Sequence, residues 1–196
     1  APAELNVAGV GDLLSIHTAT FDWELAARAG RDDHAFSAEA VQQARAILDL
    51  VRRRADAIRN VEDDGLLAIV EGSMRVNTIC LPAGHYRVEE GSEHYLFYEL
   101  EERLRRPFVH GHIIGLGIAI MSRLQDNEPE AIKDLMQRLS LRYHPVDVQV
   151  SRDDLVASLM SLRDYTERTG LWYTVINERT IDQRTINRLL EDVRFA

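Results

Sequence analysis

The chain has one cysteine, one lysine, no excess of positive charge and almost nothing that reads as β-strand. The lone thiol, Cys80, cannot close an internal disulfide, so a reducing, cytoplasmic setting is expected. With no second cysteine beside it, Cys80 reads as a small buried hydrophobe rather than a zinc ligand. The 22 arginines against a single lysine, Lys133, reflect coding bias more than chemistry. No apolar run reaches the ~18 residues of a membrane span. The opening APAELN is not a charged-then-apolar leader. The formal net charge is −9 and the pI about 5.3. Nucleic-acid binders need a basic patch to displace counterions, and anionic membranes ask the same. Neither partner is expected. Small anionic substrates stay open, because they need only a few local cations.

What is present is helical periodicity on a chain of 196 residues, long enough for one sizeable core. Val41, Ala44, Leu48, Val51, Ala55 and Ile58 recur at steps of three and four and predict a long helix over 38–59. Ser37 stands at its N-cap position. Further helices are expected over 9–29, 63–82, 92–106, 110–125, 129–141, 152–168 and 182–193. Pro82 and Gly84 end one of them, Pro107 limits another, and Ser151-x-x-Asp154 opens a third with a capping-box pattern. Only HPVDVQV (144–150) alternates like a strand. The fold class is therefore all-α, a bundle-like domain of about seven to nine helices with no repeat and no dividing linker. Arg52, Arg53 and Arg54 point in three directions, as a solvated face would.

Three histidines stand in or beside apolar sequence: His94, His110 and His112. Each is a satisfied core group or a ligand. His110 and His112 are two residues apart, so on a helix they diverge by roughly 200° and cannot chelate one ion together. A metal site therefore needs one of them, His94 and a third ligand. Asp12, after Gly9-Val10-Gly11, is a candidate, although an aspartate there also suits a helix cap. A carboxylate with two imidazoles and open positions is the makeup of a catalytic Zn²⁺ or Fe²⁺ site. GHIIGLG (111–117) lacks the spacing and the preceding strand of a dinucleotide fingerprint. Its Gly111, Gly115 and Ala119 share a helix face and read as helix packing. In GLWYTVINERTI (170–181), Trp172 and Tyr173 read as a buried aromatic anchor.

Taken together, AGVGDLL, the pattern Thr18-Ala19-x-x-Asp22-Trp23, GSEH, and HG-x-x-x-GLG resemble the C-terminal helical domain of the iron-containing alcohol dehydrogenases. The glycerol-1-phosphate dehydrogenase group is the nearer branch and dehydroquinate synthase a more distant relative. The resemblance runs from Ala8 to about Asn187. It implies a dehydroquinate synthase-like C-terminal fold. It also implies Asp12, His94 and His110 as ligands of Zn²⁺ or Fe²⁺, and hydride transfer between an alcohol or polyol phosphate and NAD(P). Two positions depart from the family pattern: His112 stands where relatives carry Glu, and Ile16-His17 where they carry Lys and then an aromatic or His. His112 or His17 is the expected proton relay. Arg87 is the expected contact for an anionic substrate group, against a surface pair with Glu89 or Glu90.

The family's nucleotide-binding α/β domain has no counterpart in residues 1–196, which are expected to form one helical metal-binding domain with no cofactor-binding residues of its own. The chain is expected to be a fragment of a longer protein or a free-standing homologue, and inactive without that domain. Apolar surface that faces a partner in relatives favours self-association, so a homo-oligomer is expected. The alternatives are a dehydroquinate synthase-like lyase and a non-catalytic helical module for binding or assembly.

Overall fold

The computed structural model describes residues 2–191 and 193–195. The outer ends of the expected 1–196 domain, and Asp192 in the expected last helix, lie outside the described residues. Eleven helical segments follow one another: α1 (Ala3–Ala8), α2 (Gly11–Arg28), α3 (Ala38–Arg59), α4 (Asp63–Ala83), α5 (Ser92–Leu104), α6 (His110–Gln125), α7 (Pro129–Arg138), α8 (Pro145–Val148), α9 (Arg152–Thr169), α10 (Val175–Glu178) and α11 (Gln183–Leu189). Eight of them are the expected helices. The other three, α1, α8 and α10, have no more than six residues each, too few to show a 3.6-residue period.

No strand occurs among the described residues. The expectation of one at 144–150 is overturned: Pro145 opens α8 behind a His144–Asp147 capping box, and Gln149 takes a left-handed conformation. Alternation over so short a segment cannot build a strand where no other strand is present to pair with it.

The core is arranged around α6. Its residues from Gly111 to Gln125 are buried on every face except at Arg123, the signature of a central helix. Helices α2, α5 and α7 pack on it directly, and α9 lies outside α5. Ser37 caps α3 by accepting from the Ala40 amide at 3.1 Å, and Ser151 caps α9 by accepting from the Asp154 amide at 3.1 Å. Arg52 and Arg54 pair with Asp49 and Asp64 on the solvent side. Cys80 is buried and free, its thiol pushed up to about 12 by burial and then by the Glu89 charge, consistent with an inert hydrophobe.

The α3–α4 hairpin forms one edge of the molecule. α4 buries Gly65, Ala68, Gly72, Val76 and Cys80 against the body. On its other side Leu67, Val70, Met74 and Leu81 are each more than half exposed. By length and composition α4 is also the one helix among the described residues that could cross a membrane.

Candidate metal centre

Three helices begin at one place: α2, α5 and α6. Backbone contact brings two of them together. Gly11 and Gly111 face each other, and a β-carbon on Gly11 would overlap the Gly111 backbone. A β-carbon on Gly111 would overlap the Ala8 carbonyl. Only glycine permits this approach. Each of these glycines is the chain neighbour of a predicted ligand, Asp12 or His110, so the contact that joins the helices also joins the ligands. α5 is placed similarly, because Gly117 of α6 lets the Glu93 backbone come close, one residue before His94.

The donor atoms of Asp12, His94 and His110 lie within 4.8 Å of one another. Asp12 Oδ1 is 2.9 Å from His110 Nε2 and 3.6 Å from His94 Nε2. This oxygen is buried yet has no well-aligned hydrogen bond. Asp12 lies in the first turn of α2 but makes no capping bond, so the capping role weighed from the sequence is not what the carboxylate does. His94 is almost wholly buried, whereas the side chains of His110 and Asp12 are nearly half exposed, leaving one side of the cluster open. Two imidazole nitrogens converging on one orphaned carboxylate oxygen fit a divalent cation, with donors of the right type for Zn²⁺ or Fe²⁺ and an open position.

A further group orients the site. Glu93 Oε1 lies 2.9 Å from His94 Nδ1, which donates to it and so turns Nε2 toward Asp12. A carboxylate behind a metal-ligating histidine commonly fixes tautomer and ring orientation. Burial favours a neutral His94, but hydrogen bonds and charge from Asp12 and Glu93 outweigh it and push the imidazole up to about 10. Burial would also raise Asp12. The two imidazoles close to its Oδ1, His110 and then His94, prevail and hold it well below the usual carboxylate range.

The other predicted residues lie elsewhere. His17 is buried on α2 and donates Nε2–H to the Asn127 carbonyl at 2.7 Å, while Asn127 Nδ2 donates back to the His17 carbonyl at 3.0 Å. His112 is buried against α1, bonded to the Glu4 backbone. Burial holds both imidazoles below their ordinary value, and neither is brought to the donor cluster. Arg87 is 1% exposed. It donates to the Tyr173 carbonyl at 3.2 Å and lies over the Trp172 ring, paired with neither Glu89 nor Glu90. Trp172 and Tyr173 are half-buried around it. The sequence reading missed Glu89. Its carboxyl is pushed up to about 7 by burial and then by the Asp12 charge, and its backbone carbonyl accepts from Ser15 on α2. The doubled acid in VEEGSEH, just upstream of a predicted ligand, was the available signal.

Comparison with known proteins gives the site its context. The chain is 24% identical over 189 residues to the glycerol-1-phosphate dehydrogenase (NAD(P)+) of Methanothermobacter thermautotrophicus, covering 96% of this chain and 53% of that protein. It is 29% identical over 164 residues to the enzyme of the same description from Pyrococcus furiosus, covering 81% and 45%. The chain resembles these dehydrogenases along most of its length. It spans about half the length of the curated relatives it matches. A solved structure described as a probable glycerol dehydrogenase from Sinorhizobium meliloti superposes with a TM-score of 0.68 at 19% identity, covering 97% of this chain and 54% of that one. This likeness establishes a shared fold. No protein-family model matches the chain.

Proposed function

We propose that this chain is the metal-binding catalytic domain of an NAD(P)-dependent, cytoplasmic dehydrogenase acting on a polyol or polyol phosphate. The convergence of Asp12 Oδ1, His94 Nε2 and His110 Nε2 carries the reading. The likeness to glycerol-1-phosphate dehydrogenases supports the substrate class. When bound there, Zn²⁺ or Fe²⁺ supplies Lewis acidity toward a substrate hydroxyl. The chain's own residues do the rest. Asp12 and the two imidazoles hold the cation with one side open, Glu93 keeps the His94 ring in place, and burial around His94 keeps water from that side. His112 and His17 are engaged elsewhere, with the backbone of Glu4 and of Asn127, and do not serve the donor cluster. The nicotinamide cofactor would need a binding site outside these 196 residues, which alone are expected not to turn over. Nucleic acid and membranes have no part in this reading.

Elemental analysis of protein purified without chelator tests the assignment, with about one Zn or Fe per chain expected. No metal after reloading with either ion would favour a helical module without catalysis. Proton release is a second signature. The His94 pKa is raised above its unfolded value of 6.5 to about 10. In the metal-free chain the ion pairs of His94 therefore stabilise the fold fully below 6.5 and are lost as pH rises through about 10. A ligand must give up that proton, so at pH 7.5 binding should release about one proton per ion. Calorimetry in buffers of different ionisation enthalpy reads this directly.

Self-association is part of the same reading, and the α4 stripe is its surface. Leu67 and Leu81 lie seven residues either side of Met74, and Val70 and Thr78 four either side. The exposed apolar residues of this stripe fit an antiparallel second copy about a two-fold axis, where one patch meets itself. Its flanking charges, Glu71 and Arg75, neutralise each other within the helix. Sedimentation velocity should show a dimer that Met74→Glu converts to monomer. A monomeric wild-type chain would end this part of the reading.

A further inference from the structure

Asp22 is fully buried on α2 and belongs to a motif that the metal ligands leave unexplained. It stands ten residues beyond Asp12, roughly 15 Å along the helix, so it is no ligand. We propose that Asp22 is a positioning residue for the metal centre, a buried carboxylate that fixes the first turn of α5 and thereby the His94 imidazole. The proposal rests on the assignment of Asp12, His94 and His110 as ligands.

The first turn of α5 lacks a capping side chain of its own, because its N-cap is Gly91. The amides there need acceptors from elsewhere. Asp22 Oδ2 takes the Ser92 amide at 2.9 Å, so a side chain from α2 caps α5 across 70 residues of sequence. Its other oxygen takes the Val175 amide at 2.8 Å, at the start of α10. The next amide to be satisfied, that of Gly91, goes to Glu93 Oε1 at 2.7 Å, the same oxygen that receives His94 Nδ1–H. Asp22, Ser92, Glu93 and His94 thus form one line of contacts ending at the donor cluster.

The packing around that line is close. A β-carbon on Gly91 would lie 2.9 Å from the Cα of Ala19, 2.9 Å from Asp22 Oδ2 and 3.1 Å from Glu93 Oε2. The turn therefore sits against α2 with no slack, and two carboxylates face one small space. Glu93 Oε2 has no hydrogen-bond partner there. Burying two acidic groups together is costly, and capping α5 alone would need only a neutral acceptor. Of the two, Glu93 backs the His94 imidazole directly, and Asp22 holds the turn that carries both.

Without Asp22 the Ser92 and Val175 amides lose their partner, the first turn can shift from α2, and His94 Nε2 leaves its place opposite Asp12. Ligand distances tolerate only ~0.2 Å, and loss of outer groups commonly lowers metal affinity ~10–100-fold. The test uses Co²⁺ as the probe on the full chain, competed against a chromophoric chelator. Ligand-field bands are recorded at saturation, and far-ultraviolet circular dichroism checks the fold. Asp22→Ala should bind Co²⁺ ~10–100-fold more weakly with shifted bands. Asp22→Asn keeps one acceptor oxygen and should fall between the two. Helix packing alone would not move the saturated spectrum.

Wild-type affinity and bands in Asp22→Ala overturn the proposal. If Asp22→Ala does not fold, the same result in Asp22→Asn does so. Failure of the underlying assignment looks different: a wild-type chain that takes up no Co²⁺, or one whose binding survives His94→Ala, removes the metal site and the positioning role together.

Discussion

Alanine at position 111 is expected to destabilise the protein by about 3 kcal/mol or more, the upper part of the range for an overpacked core. A β-carbon there would overlap the Ala8 carbonyl, and backbone cannot swing aside as a side chain can. Either the α1–α2 junction or the start of α6 has to move. For a chain of this length such a loss lowers the midpoint of thermal unfolding by about 6–12 °C. It also separates His110 from Asp12, so metal affinity falls with stability. Thermal unfolding of Gly111→Ala beside wild type, both metal-free, measures the first effect, and reloading with Zn²⁺ the second. A variant with the wild-type midpoint would show that the close approach of Gly111 to the Ala8 carbonyl is not what fixes the start of α6.

His94→Ala carries the largest expected effect on metal binding. His94 is the most buried of the three proposed ligands and the one with a dedicated orienting carboxylate. Its removal deletes one donor and leaves Glu93 facing a void. Affinity should fall by more than the ~100-fold typical of outer-group changes, enough that the purified variant retains no ion. His110→Ala should act in the same direction. His112→Ala and His17→Ala are the controls, because their nitrogens are engaged with the backbone of Glu4 and Asn127. Elemental analysis of the four variants gives a sharp pattern: metal absent in the first two and present in the second two. Metal lost in His112→Ala with the fold intact would contradict the placement of that side chain against α1.

Long elements were legible because periodicity accumulates over many residues. The stripe from Val41 to Ile58 and the caps at Ser37 and Ser151 identify α3 and α9 without any tertiary information. Short ones were not. At 144–150, Pro145 and the His144–Asp147 capping box outweighed an alternation that had nothing to pair with. The ligands show a different limit. Some 80 residues separate Asp12 from His94, and no spacing rule links them; the resemblance named them, and the structure brings their donor atoms together. The buried charges were illegible for a physical reason. Arg87, Asp22 and Glu93 are charged residue types that a sequence reading places at the surface by default. Arg87 and Asp22 are buried through tertiary contacts with Tyr173 and Ser92, and Glu93 where its backbone packs against Gly117 of α6.

The adjacency of glycine and ligand at 11–12 and 110–111 has an evolutionary consequence. The glycines hold the helices together and the proposed ligands do not, since Asp12 and His110 are partly exposed and contribute little packing. Drift at positions 12 and 110 can therefore erase the chemistry while the scaffold persists, whereas drift at 11 and 111 erases both. Descendants of this domain that have lost their metal but kept their shape should be recognisable by a pair of glycines whose neighbours have changed.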